Sequence, residues 1–168
     1  LAFAARWLAF RHGSMPDPYD LPFVTMLDRI VEEPATRGNL LVGWTGVDSA
    51  IHGLRRVQIF GNGERIVTSR DPGSEFSRTR RTMLRPHEMQ ALVEAIRHSA
   101  VWLAAPLREQ GLPDEPRPAF EVQLGIGGPF SRQVSMWNGE WRRGPSSHLA
   151  ELMDRLASDH IGESMPPA

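Results

Sequence analysis

His87-Glu88 is the first pair in this sequence whose residue types could do chemistry. At the head of a helical stretch it begins like the HExxH zinc motif, which sets two histidines one turn apart on one helix face. The second histidine position holds Ala91, so that site cannot form, and Glu88 instead suits the positive end of a helix. Ser146-Ser147-His148 places hydroxyls beside an imidazole. A catalytic triad is assembled in space from distant residues, and no G-x-S-x-G elbow is present, so Ser146 or Ser147 reads as a cap or first-turn residue. Gly125-Ile126-Gly127-Gly128 has the glycines of a phosphate loop, but Pro129 and a strand-like run come next where such a loop needs a helix N-terminus. It reads as a turn. Asp159-His160 with Glu163 has the residue types of a metal site, yet it falls at the end of the chain, and His98 and His160 suit the negative ends of their helices without a ligand. His52 is isolated. No catalytic, metal or cofactor site is expected from these residues.

Binding chemistry is better represented. Arg78, Arg80, Arg81 and Arg85 form the one basic cluster. Such a cluster grips phosphate or an acidic partner, or simply guards a sheet edge against wrong pairing. No aromatic interleaving accompanies it, so nucleic acid is not expected as a partner. Trp7, Trp44, Trp102, Trp137 and Trp141 are many tryptophans for 168 residues. Trp44 and Trp102 lie in apolar stretches and are expected in the core. Trp137 and Trp141 flank Asn138-Gly139, where they would pair across strands or, with Arg142, present a contact surface. Phe3, Trp7 and Phe10 share one face of a helical segment, and Pro16 and Pro18 separate them from the rest of the chain. These six residues, Phe3, Trp7, Phe10, Trp137, Trp141 and Arg142, are the candidate partner-binding set.

Periodicity gives the elements that must position these groups. Two stretches each read as a hairpin and then an amphipathic helix. The first is Leu54–Ser69 then Pro86–Ser99, and the second is Ala119–Trp137 then Pro145–His160. Met89, Leu92, Val93 and Ile96 in one helix match Leu149, Leu152, Met153 and Leu156 in the other, the stripe of a helix lying on a sheet. Asn62-Gly63 predicts a two-residue type I′ turn, and Gly127-Gly128 the connection of the second hairpin. Asn138-Gly139-Glu140 reads as a second such turn, leading to a short strand at Trp141. A helix is expected over Pro22–Glu33, a buried strand over Leu40–Trp44 and a further strand over Phe76–Leu84. The expected fold is α+β, an antiparallel sheet from two ββα units with helices mainly on one face, plus an N-terminal helical segment. Residues 1–18 are expected as an arm and breaker, 19–163 as the domain and 164–168 as a loose tail. The repetition looks like small bacterial domains in general and matches no named family.

Composition sets the remaining bounds. The chain is 40% hydrophobic and 23% charged with a net charge of −1, so no global field draws it to nucleic acid or an anionic membrane. All 19 basic residues are arginine, which reads as coding bias because they are scattered. The absence of cysteine excludes disulfides and thiolate chemistry. Leu1–Phe10 falls short of the roughly 20 apolar residues a bilayer span needs. The chain opens at Leu1, which reads as a trimmed or processed start, and a cytoplasmic compartment is favoured. Taken together, a non-catalytic binding or assembly module is expected, with a protein partner or self-association. The alternative is a hydrolase whose site is assembled from His52, His87 or His148 with a carboxylate.

Overall fold

The computed structural model of the chain describes residues 20–103, 116–125 and 130–158. The elements run α1 (Asp20–Glu32), a 3-10 turn (Pro34–Asn39), β1 (Leu41–Ser49), β2 (Gly53–Phe60), β3 (Glu64–Arg70), β4 (Ser77–Met83) and α2 (Pro86–Ser99). Then come a 3-10 turn (Val101–Leu103), β5 (Ala119–Gln123), β6 (Ser131–Ser135), α3 (Asn138–Trp141) and α4 (Ser146–Ala157). One antiparallel sheet takes the order β4-β3-β2-β1-β5-β6. The fold is α+β, as the periodicity predicts. The strands expected over Leu40–Trp44 and Phe76–Leu84 form as β1 and β4 and extend the first hairpin into a four-stranded meander, and β1 joins the halves by pairing with both β2 and β5.

Period-2 alternation sends Val42, Trp44, Val57, Ile59, Val67, Phe120 and Val122 to the buried face. Helices α1, α2 and α4 bring Phe23, Leu27, Ile30, Leu92, Val93, Ile96, Leu149 and Met153 into the same core. The opposite face carries no helix among the described residues. Register arranges it in rows, one running Arg81, Ile66, Gln58, Gly43, Glu121 and Gln133 from edge to edge.

The apolar stripe of α2 is buried as expected, but that of α4 is rotated. Leu149, Ala150, Met153, Leu156 and Ala157 are buried, whereas Leu152 is only half-covered. Ala150 is small enough to let the helix backbone approach, and that roll carries Leu152 to the rim. Leu92→Ala is therefore expected to cost about 3 kcal/mol and Leu152→Ala only about 1 kcal/mol. Urea denaturation of the two variants checks this, and equal losses would contradict the rotation.

Two turns differ from expectation. The β2–β3 connection has three residues, Gly61-Asn62-Gly63, with the Gly63 N–H donating to the Phe60 carbonyl at 2.9 Å. Among these three only Gly63 has positive φ, at +89°, so the loop is a type I turn closed by a left-handed glycine rather than a type I′ turn. Gly61 explains the difference. Its N–H donates to the Leu40 carbonyl at 2.8 Å, and a Cβ on it would lie 1.6 Å from the Arg37 carbonyl oxygen. Asn138-Gly139-Glu140, expected to lead into a strand, opens helix α3. The Glu140 carboxylate accepts the Trp137 N–H at 2.9 Å, and this cap turns the chain helical and Trp141 inward.

Arg37 fastens α1 to this frame. Its side chain is buried, and its guanidinium donates to the Ile30 carbonyl at 3.0 Å, to the Val31 carbonyl at 3.4 Å and to the Gln90 side-chain oxygen. A cation thus satisfies carbonyls that the end of α1 leaves open. Burial lowers its pKa from the ordinary value, and the nearby Glu94 acts in the opposite direction. No helix among the described residues is long and apolar enough to cross a membrane.

Candidate functional site

The residues singled out for acid–base chemistry stay apart. His52 lies in the β1–β2 turn, His87 in the first turn of α2 and His148 in the first turn of α4, all exposed. Glu88 accepts the Arg85 N–H at 2.6 Å, serving the helix start as expected. Ser146 and Ser147 are first-turn residues whose hydroxyls donate to backbone carbonyls, Ser147 to Gly144 at 2.8 Å. His98 sits against the Glu94 carbonyl of its own helix at 2.7 Å. Among the described residues no three His, Asp or Glu side chains come together as metal ligands. The Asp159-His160-Glu163 trio, the Gly127-Gly128 turn and the Phe3-Trp7-Phe10 arm lie outside the described residues.

Of the candidate contact residues, Trp141 must be reassigned. It is 0% exposed, its indole N–H donates to the Pro118 carbonyl at 3.0 Å, and its ring meets Trp44 edge-on at 5.0 Å. It is a core residue and offers nothing to a partner. Trp137 is half-buried with the Arg117 guanidinium 5.5 Å from its ring centre. Arg142 is exposed and reaches Asp154 of α4.

Among the described residues three surfaces can bind. The first is β4, Ser77–Met83. It pairs with β3 on one side and with no strand among the described residues on the other. Six of its seven residues are exposed, so neither of its faces is covered. Arg78, Arg80 and Arg81 project from it, and Phe76 and Met83 stand at its ends, 84% and 63% exposed. Arg78 pairs with Asp71 at 3.5 Å and Arg81 with Glu64 at 3.4 Å, both in solvent, where such pairs are weak.

The second surface is a dent of about 260 Å³ in the uncovered sheet face. Gly43, without a side chain, leaves a hollow that Thr45, Arg56, Gln58, Glu121 and Gln133 surround. The third is a groove of about 250 Å³ where β1 breaks register between Thr45 and Val47. Gly46 at this bulge, Arg55 of β2, Asn138 and Arg142 of α3 and its cap, and Asp154 of α4 line it. The Asp154 carboxylate is held from two sides, by the Trp44 indole N–H at 2.8 Å and by the Arg142 guanidinium. None of the exposed histidines lines the dent or the groove.

Sequence reasoning misses the groove because its residues come from four elements. Gly46 is the available signal, since a glycine inside a strand pattern marks a bulge or a close approach. A Cβ there would lie 3.2 Å from the Trp44 indole nitrogen and 3.3 Å from Asp154, so glycine leaves this hydrogen bond room. The chain matches no protein-family model, and no curated protein is significantly similar to it.

Proposed function

We propose that this chain is a non-catalytic binding module that docks on another protein, and that β4 receives an extended acidic segment of the partner. The observation that carries the reading is the state of β4, a strand with both faces exposed and with one edge that no strand among the described residues pairs. An edge strand is a template for strand addition, in which main-chain hydrogen bonds supply affinity and side chains supply selectivity. Arg78, Arg80 and Arg81 favour carboxylates along the added strand, while Phe76 and Met83 give apolar anchors at both ends.

A fluorescent peptide alternating glutamate and valine tests the reading by anisotropy. It is expected to bind the chain and to lose about tenfold in affinity on Arg78→Glu or Arg80→Glu. N-methylation of alternate peptide nitrogens should abolish binding, because it removes the donors of the new ladder. Equal binding of the methylated peptide, or no binding of the acidic peptide at millimolar concentration, would overturn the reading.

A further inference from the structure

We infer that the groove at the β1 bulge is a second binding site, specific for a carboxylate group and separate from the β4 edge. Its charges are Arg55 and Arg142 against Asp154, a balance of one positive charge. Arg142 is already engaged with Asp154, and a guanidinium has five N–H donors, so it keeps donors for a second acceptor. None of the hydrogen bonds or ion pairs of the described residues engages the Arg55 side chain. The cavity is thus walled by one committed and one uncommitted guanidinium, with the amide of Asn138 between elements that are themselves fixed. The Asn138 backbone N–H donates to the Pro116 carbonyl at 3.0 Å, and Asp154 is anchored to the core through Trp44.

Charge decides the ligand class. A guanidinium takes carboxylates and phosphates in the same fork geometry. Here Asp154 shares the cavity, and a dianion would meet its carboxylate with one uncompensated negative charge. A monoanionic carboxylate leaves the groove neutral. Size agrees, because about 250 Å³ is below the range of cofactor pockets and suits one acidic side chain or a small free acid. Gly46 leaves room for the Trp44–Asp154 hydrogen bond in the wall of the groove, since a Cβ there would lie 3.2 Å from the indole nitrogen and 3.3 Å from the carboxylate.

The Trp44 indole N–H, bonded to Asp154, is a built-in reporter. The test tracks its nitrogen–proton NMR signal at about pH 8 during titration with three probes: sodium acetate, N-acetylglutamate N-methylamide as a peptide-embedded carboxylate, and inorganic phosphate, which is mainly a dianion there. A saturable shift with at least one carboxylate, weakened about tenfold or more by Arg55→Ala, is expected. Response to the glutamate amide alone identifies the source as a protein side chain, and response to acetate alone identifies a free acid. Arg55 is exposed, so its removal should leave the other indole signals in place and the fold intact. Phosphate binding as tight as the carboxylates would overturn the inference. So would a shift no larger than sodium chloride produces at equal ionic strength, or one that survives Arg55→Ala. The β4 reading is tested apart from these results, because it is read from Arg78→Glu, Arg80→Glu and N-methylation of the peptide, and neither arginine lines the groove.

Discussion

Trp141→Ala is expected to remove about 3–5 kcal/mol of folding free energy, a large part of the roughly 5–15 kcal/mol that holds a domain together. The indole sits where three parts of the fold meet. Its ring lies 5.0 Å from Trp44 of β1 and 6.4 Å from Phe120 of β5, and its N–H holds the Pro118 carbonyl just before β5. Truncation opens a cavity between the two halves of the sheet and leaves the buried Pro118 carbonyl with only the longer bond from the Met136 N–H, at 3.3 Å. Trp141→Phe keeps most of the apolar volume and loses the hydrogen bond, so its cost should be smaller, about 1–2 kcal/mol. Guanidinium denaturation of both variants checks the order. A loss below about 1 kcal/mol for the alanine variant would mean that the junction is not held by this ring.

Gly61→Ala should be nearly as damaging although it adds a single methyl group. The new Cβ would fall 1.6 Å from the Arg37 carbonyl oxygen and 2.6 Å from its carbon, both backbone atoms that no rotamer change can move away. Relief requires shifting the 3-10 turn or the β2–β3 hairpin, and the cost should exceed the about 1–3 kcal/mol usual for overpacking. The same shift would pull Arg37 from the end of α1, so α1 should loosen together with the hairpin. Gly38→Ala, in the same turn but with open space around it, is the control and should change stability by no more than about 0.5 kcal/mol. Thermal unfolding separates the two, and a similar melting temperature for both variants would contradict the close approach.

How much of this is legible in the sequence depends on the range of the interactions involved. Helix α2 is legible to its ends, because Pro86 starts it and the Met89–Ile96 stripe needs only local spacing. The face of α4 is less so. Its stripe admits Leu152 or Ala150, and the choice is made by how closely β1 and β2 lie beneath it. Alternation alone ends β1 at Trp44, since Gly46 interrupts it. The strand continues to Ser49 because β2 pairs with it beyond the bulge. Trp141 shows the limit most plainly. An Asn-Gly step between tryptophans suggests a hairpin tip, and one capping bond from Glu140 changes the element and reverses the direction of the ring. The groove is not legible, since a uniform strand pattern says nothing about which residues of α3 and α4 reach its end.

The place of β1 between β2 and β5 also sets an order of events during synthesis. Strands β1 to β4 are joined by short turns and can zip together as soon as they emerge, by the fast local route open to hairpins. β5 arrives only after α2 has been made, and it must find β1 across that whole length of chain, the kind of distant pairing that slows folding. Until then the Leu41–Thr45 edge of β1 stands open beside the apolar side chains of Val42 and Trp44. A nascent chain stalled after α2 would therefore carry a sticky central strand, and its escape from aggregation depends on how soon β5 closes over it.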